Sequence, residues 1–275
     1  MPLVLTDLSD GVLTVTLADE ANRNALSGQL VGELHDALDA ADADPEVRVV
    51  VLTNSGRVFC AGADLSERSS GAGSSNQRPV DPSLLFSRFA TSPKVYVGRI
   101  AGHCVAGGMG LAAAMDISIA VDDAKFGFTE TRVGVAPAMI SVVCLPKMRS
   151  ADARAAFLRG NRFLAPEAAR IGLINEAVPP HGLDAAVDAV VADVLACGPG
   201  ALAAAKQLLA QVPGMPVDEA FAWTGELSAS LFQATRPGKA CKPSSTSALP
   251  PGRPDRGVPW HTEVRSRHGH SRTPA

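Results

Sequence analysis

Residues 102–130, GHCVAGGMGLAAAMDISIAVDDAKFGFTE, constrain the chain more than any other stretch. They follow a β-forming run at 95–100 and break it with Gly102, the pair Gly107 and Gly108, and Gly110. An Ala-rich apolar run comes next, then a second β-forming run at 117–121. The order is strand, small-residue turn, helix, strand, as in an α/β sheet covered by helices. Glycines where a strand hands over to a helix let the backbone approach a ligand and leave N–H groups without intrahelical partners. The helix N-terminus adds partial positive charge there. Such a turn either holds a developing oxyanion or is a plain helix start with small residues for tight packing.

Phe59-Cys60-Ala61-Gly62-Ala63-Asp64-Leu65 repeats the pattern, ending the apolar β-forming run 47–52 in small residues that offer a second N–H. With GHCVAGGMG and with FGFTETRVGVAP at 126–137, it makes the chain resemble the enoyl-CoA hydratase/isomerase (crotonase) superfamily, from about residue 3 to about residue 233. The resemblance implies an α/β fold, a crotonase-like spiral of ββα units followed by C-terminal helices for oligomerisation. It implies an enoyl-CoA hydratase whose thioester oxygen is held by the backbone N–H groups of Ala63 and Gly107. Two glutamates normally handle the protons. Alignment puts the second on Glu130 and the first on Gly110, so one carboxylate is present and one is missing. Asp116, the next acid downstream, matches a family position that is usually structural.

The same resemblance lays the loop Asn22-Arg23-Asn24-Ala25-Leu26 along the CoA moiety. Arg23, Ala25, Ala61, Ala63, Asp64 and Leu65 become CoA-binding candidates, with an exposed surface arginine as the alternative for Arg23. CoA is part of the substrate, so no separate cofactor is expected. A single glutamate also suits a Δ3,Δ2-enoyl-CoA isomerase, because one base can carry a proton between two carbons. A third reading is an acyl-CoA-binding relic of weak activity. The loop VGVAPAMIS resembles a hydratase-like branch acting on branched or terpenoid acyl-CoAs. A homotrimer or hexamer is implied through the C-terminal helices.

Read residue by residue, Leu3-Val4-Leu5 and 12–17 form a hairpin turning at Ser9-Asp10-Gly11. Ser27 caps a helix whose Leu30, Leu34, Ala37, Leu38 and Ala41 fall at helical spacing. Residues 66–82 are rich in Ser and Gly and read as a mobile loop, and 84–89 as a helix. Residues 151–159 read as a helix packed through Ala155, Ala156 and Leu158. Helices follow from 166, at 182–196, at 201–212 and at 218–232. The expected division is an acyl-CoA-binding core at 1–200, a helical segment at 201–233 and a disordered tail at 234–275.

That tail departs from the family. Residues 235–252 can be encoded so that a one-base slip, joining the third base of each codon to the first two of the next, reads EAREGMQAFLDKRPPAW. This resembles the family's C-terminal helix, its AFL, its Lys/Arg pair and its PPxW. Two bases of every shifted codon are set by the residues present, apart from the choice of codon family for Arg and Ser. The tail therefore reads as translated out of the ancestral frame. The slip removes the Phe and Lys that help cover CoA in family members, and weaker CoA binding and assembly are expected.

Net charge is −3, which favours no polyanionic or polycationic partner. Residues 234–275 hold eight Lys/Arg against two acids, and read as a solvated end rather than a nucleic-acid site. Five cysteines without CxxC spacing suggest free thiols in a reducing cytosol. No basic segment with a long apolar run opens the sequence, and no run reaches membrane-span length, so a cytoplasmic protein with no membrane partner is expected. His103 and Cys104 flank the turn, His103 as a packing or backbone-bonding residue. No Ser/His/Asp triad, metal-ligand spacing or dinucleotide fingerprint is present.

Overall fold

The computed structural model describes residues 1–64 and 82–234. Residues 65–81, most of the loop expected at 66–82, and residues 235–275, where a disordered tail is expected, lie outside the described residues. Strands β1 (Val4–Ser9) and β2 (Val12–Leu17) form the expected antiparallel hairpin. Asp10 (φ 50°) and Gly11 (φ 82°) both take the positive φ that a tight hairpin turn needs. β2 pairs in parallel with β3 (Val49–Asn54), β3 with β5 (Val95–Ile100), β5 with β7 (Ile117–Val121), and β7 with β10 (Glu176–Val178). Every residue of β3 is buried, as in a parallel strand covered on both faces. It begins two residues later than the apolar run at 47–52, because Val47 donates to the Asp44 carbonyl in a turn.

A second, four-stranded sheet contains β4 (Val58–Cys60), β6 (His103–Val105), β8 (Lys125–Gly127) and β9 (Phe163–Leu164). The first three are parallel and adjacent, with Cys60 opposite Cys104 and Cys104 opposite Phe126. Their common direction brings the segments that follow them to one edge.

Helix α1 (Gly28–Ala43) starts where the sequence places its cap, since Ser27 Oγ accepts from Leu30 N at 3.2 Å. Its Leu30, Leu34, Leu38 and Ala41 are buried. Among the described residues the remaining α-helices are α2 (Pro82–Thr91), α3 (Gly107–Ala114), α4 (Ala138–Cys144), α5 (Ser150–Arg159), α6 (Ala165–Arg170), α7 (Leu183–Ala196), α8 (Pro199–Gln211) and α9 (Val217–Ala234). The packing face expected for α5 is corrected. Ala153 and Ala156 are buried, whereas Ala155 is exposed and Leu158 is 74% exposed. Residues 155 and 158 share a stripe three apart on the outer face. Phe157 instead meets Phe128, with ring centroids 4.1 Å apart.

α8 is tied into the core by Lys206. Its Nζ donates to the carbonyls of Phe89 (2.7 Å) and Lys94 (2.6 Å) and to Asp116 Oδ2 (2.7 Å). Asp116 Oδ2 also accepts from Tyr96 N at 2.8 Å, so this carboxylate braces the fold. Among the described residues no single helix is long and apolar enough to cross a membrane.

Candidate active site

Ala63 lies three residues beyond β4, Gly107 two beyond β6 and Glu130 three beyond β8. The parallel sheet thus carries the segments holding all three sequence-predicted catalytic residues to one edge. The segment after β4 is fixed against the loop before α1. Ala61 N donates to Arg23 O (3.2 Å), Leu26 N to Gly62 O (2.7 Å) and Asp64 N to Leu26 O (3.4 Å). Asn22 Nδ2 donates to Asp64 Oδ2 at 2.7 Å. Buried Asn24 reaches the carbonyls of Val58 (2.7 Å) and Ser55 (3.3 Å).

The two small-residue turns touch. A Cβ on Gly62 would lie 2.7 Å from Ala106 Cβ and 2.8 Å from Gly107 N. A Cβ on Gly107 would lie 3.1 Å from Gly62 Cα and 3.5 Å from Ala63 N. Gly62 is also held at φ 91°, where an L side chain is strained. The amides of Ala63 and Gly107 therefore lie close together, and among the described residues neither makes a hydrogen bond. Gly107 is the first residue of α3, where an amide has no intrahelical acceptor and the helix dipole is positive. Ala106 adopts φ 49°, ψ −124°, an arrangement rare outside glycine, while its N–H holds Gly127 O at 3.0 Å. Two free, fixed N–H groups at one point are the geometry of an oxyanion hole.

Glu130 opens a short 3₁₀ turn, Glu130–Val133, after buried Phe128. The side chain is half-buried and its Oε2 is buried without a hydrogen-bond partner. Burial pushes its carboxyl above the usual carboxylate range, opposed by its own backbone N–H. A carboxylate of raised pKa is a candidate to accept and return a proton.

The position expected for a second glutamate is filled. Gly110 is buried on α3, and a Cβ there would come within 2.5 Å of Ile140 Cγ2 and 2.8 Å of Phe86 Cε1. Neither Phe86 nor Ile140 was marked by the sequence, because α2 and α4 meet α3 only through tertiary packing. The strained Ala106 likewise carries no sequence signal of its own.

Among the CoA-binding candidates, Arg23 is exposed and held at φ 56° beside the oxyanion loop. Ala25 is buried, Ala61 is half-buried and Asp64 is engaged by Asn22. His103 lies at the far end of β6 from Gly107, and its Nδ1 accepts from Lys125 N at 3.1 Å, a backbone-bonding role. Cys104 and Cys60 are buried, the latter with its thiol pushed up to about 12 by burial. Among the described residues no group of three or more His, Cys, Asp or Glu side chains is placed to hold a metal.

Comparison with known proteins places the chain in a family. The family model described as enoyl-CoA hydratase/isomerase matches residues 7–239. A Thermus thermophilus protein carrying a provisional enoyl-CoA hydratase name is 37% identical over 76% of this chain and 85% of its own length. Enoyl-CoA hydratase EchA19 of Mycobacterium tuberculosis is 32% identical over 84% of this chain and 89% of its own. Among solved structures, an enoyl-CoA hydratase of Mycobacterium smegmatis superposes with TM-score 0.78 at 28% identity, covering 86% of this chain and 93% of the other.

Proposed function

This chain belongs to the enoyl-CoA hydratase/isomerase family, and we propose that it acts on an enoyl-CoA thioester with one carboxylate as its acid/base. The amides of Ala63 and Gly107 hold the thioester oxygen as it gains charge, and Glu130 moves the proton at carbon. The observation that carries this reading is the pair of neighbouring amides with no hydrogen bond among the described residues, together with a half-buried glutamate whose Oε2 has no partner there. Arg23, exposed next to the oxyanion loop, is suited to meet the phosphates of CoA.

Hydratase-type chemistry is supported by the names of the relatives. The second reading, isomerisation of a 3-enoyl to a 2-enoyl thioester, is favoured by the closed position at Gly110. Subunit contact through the C-terminal helices, in a homotrimer or hexamer, is supported by exposed Leu209, Val217 and Phe221. The test is to offer purified protein 2-enoyl-CoA and 3-enoyl-CoA and follow both products, with Glu130→Gln alongside. Turnover of either ester that is lost in the variant supports the proposal. Binding of both esters with turnover of neither would leave only an acyl-CoA-binding relic.

A further inference from the structure

Glu130 rides on an exposed stretch of chain. Residues 131–136 are all exposed. Among the described residues the backbone bonds of the turn are local, from Arg132 N to Thr129 O (3.1 Å), Gly134 N to Thr131 O (3.4 Å) and Val135 N to Glu130 O (3.2 Å). A single 3₁₀ turn has poor hydrogen-bond geometry and holds a side chain weakly by itself. Its neighbour in space is the end of α5. Buried Phe128, two residues before Glu130, packs its ring on Phe157 of α5, with centroids 4.1 Å apart. Gly160 ends α5 at φ 54°, and a Cβ there would lie 2.5 Å from Thr131 Oγ1 and 3.1 Å from Arg132 Cγ. A Cβ on Gly127 would lie 2.9 Å from Asn161 O and 3.2 Å from Arg162 Cα. Phe163 then pairs with Phe126 in the antiparallel β8–β9 ladder. Residues 157–163 therefore run beside 126–132 and touch the chain both before and after Glu130. Phe157 also lines a cavity of about 480 Å³ with Leu145, Met148 and Ala153, so removing its ring would enlarge a space into which Phe128 can shift.

We propose that Phe157 and Gly160 are positioning residues for Glu130, forming a clasp that holds the 3₁₀ turn so that the carboxyl stays in its half-buried place. This rests on the role given above to Glu130. Phe157 fixes the chain just before the carboxylate by filling the space beside Phe128. Gly160 fixes it just after, because only a residue without a side chain lets the end of α5 lie against Thr131 and Arg132. A group that moves a proton must sit within reach of it, and a misplacement of about 1 Å can cost about 10²-fold in rate. The clasp also governs water. Burial raises the Glu130 carboxyl, its own backbone N–H opposes the rise, and no neighbouring charge among the described residues contributes. A turn that swings outward lets water reach the carboxyl and removes the cause of the rise. The charged groups on the two segments, Lys125, Arg132, Arg159 and Arg162, are exposed. Cys144 of α4, which feels the Glu130 charge, is a thiol that burial pushes up to about 12. None of these changes its charge where a carboxylate titrates.

The experiment measures kcat, KM and the acid limb of kcat/KM for the parent, Phe157→Ala, Phe157→Tyr and Gly160→Ala. The substrate is whichever of 2-enoyl-CoA and 3-enoyl-CoA the parent turns over, and circular dichroism and thermal unfolding report on the fold. Phe157→Ala and Gly160→Ala should each lower kcat by about 10–100-fold with KM changed by no more than about twofold. Both should also move the acid limb to lower pH, because a carboxylate released into water regains its ordinary range. Phe157→Tyr keeps the ring and should keep the parent's kcat and acid limb. A lowered melting temperature with kcat and limb unmoved would reduce residues 157–163 to packing and overturn the inference, as would a kcat loss with an unmoved limb. If one alanine variant does not fold, the other decides alone. Glu130→Gln in the same assay separates the two levels. Full activity there, or turnover of neither ester by the parent, removes the role of Glu130 and this inference with it. Lost activity there, with parent-like Phe157→Ala and Gly160→Ala, overturns the clasp alone.

Discussion

On the amide side of the candidate site the proposed functional groups are main-chain N–H, fixed by a ladder of backbone bonds between residues 23–26 and 61–64 and by Ala106 N to Gly127 O. On the carboxylate side the proposed functional group is a single side chain on a four-residue 3₁₀ turn that ends in exposed Val133 and is followed by exposed Gly134 and Val135. The first side is specified by what residues 62, 106 and 107 lack in bulk, since added atoms at either glycine would meet neighbouring backbone. The second depends on which side chains occupy positions 110 and 130. Backbone chemistry therefore survives extensive sequence change, while side-chain chemistry can be lost by one substitution. This chain has kept Glu130 and carries Gly110 sealed by Phe86 and Ile140.

The largest expected effect breaks the side-chain half alone. Glu130→Gln should lower kcat by about 10²–10⁴-fold with little change in KM, because a general acid/base acts in the transition state. Near-normal kcat would show that the carboxylate side has been assigned to the wrong residue. Thermal unfolding of the same variant sharpens the point. The folded-state pKa of Glu130 is raised, so the folded protein holds this proton more tightly than the unfolded chain. That contribution is present below the unfolded pKa and lost as pH rises through the folded one. Glu130→Gln should therefore unfold at a higher temperature than the parent at neutral pH, and the gap should close in acid.

The backbone half is broken by Gly107→Pro, which deletes one N–H at a helix position that tolerates proline. A loss of about 10²–10³-fold in kcat is expected. Gly107→Ala serves as the control, since it retains the amide while adding a Cβ that meets Leu26 Cδ1 at 3.0 Å. Equal losses in the two variants would trace the effect to crowding rather than to the missing donor.

How legible was this in the sequence? The hairpin, the Ser27 cap and the strands around the glycine turn each follow from local patterns whose period or turn chemistry decides them. The close approach of the two small-residue turns was legible for the same reason, because only small residues allow two backbones to come as close as Gly62 and Gly107 do. The seal was not, because Phe86 and Ile140 are ordinary apolar residues in ordinary helices and gain meaning only when three helices meet. The face of α5 was misread because an Ala-rich segment gives a weak periodic signal. Phe157, not Leu158, carries the packing there.

A smaller effect probes the seal through stability. Gly110→Ala should destabilise the fold by about 1–3 kcal/mol, as overpacking of a filled core does. Combining it with Ile140→Ala should recover part of that loss, since Ile140 Cγ2 is the nearest obstacle. Denaturant midpoints of the single and double variants measure this directly, and a neutral Gly110→Ala would mean the space at position 110 is open. Smallest of all, Ser27→Ala should cost about 1 kcal/mol through loss of the α1 cap while kcat stays unchanged.

The pH dependence of kcat/KM for the unaltered protein and for Glu130→Gln tests the central claim most directly, that one half-buried carboxylate works against two backbone amides. The parent should show one acid limb. Activity should fall as pH drops through a pKa above the usual carboxylate range, because protonated Glu130 cannot take a proton from carbon. The residual activity of Glu130→Gln should lack that limb. An acid limb that survives in Glu130→Gln, or two carboxylate ionisations in the parent profile, would contradict the account.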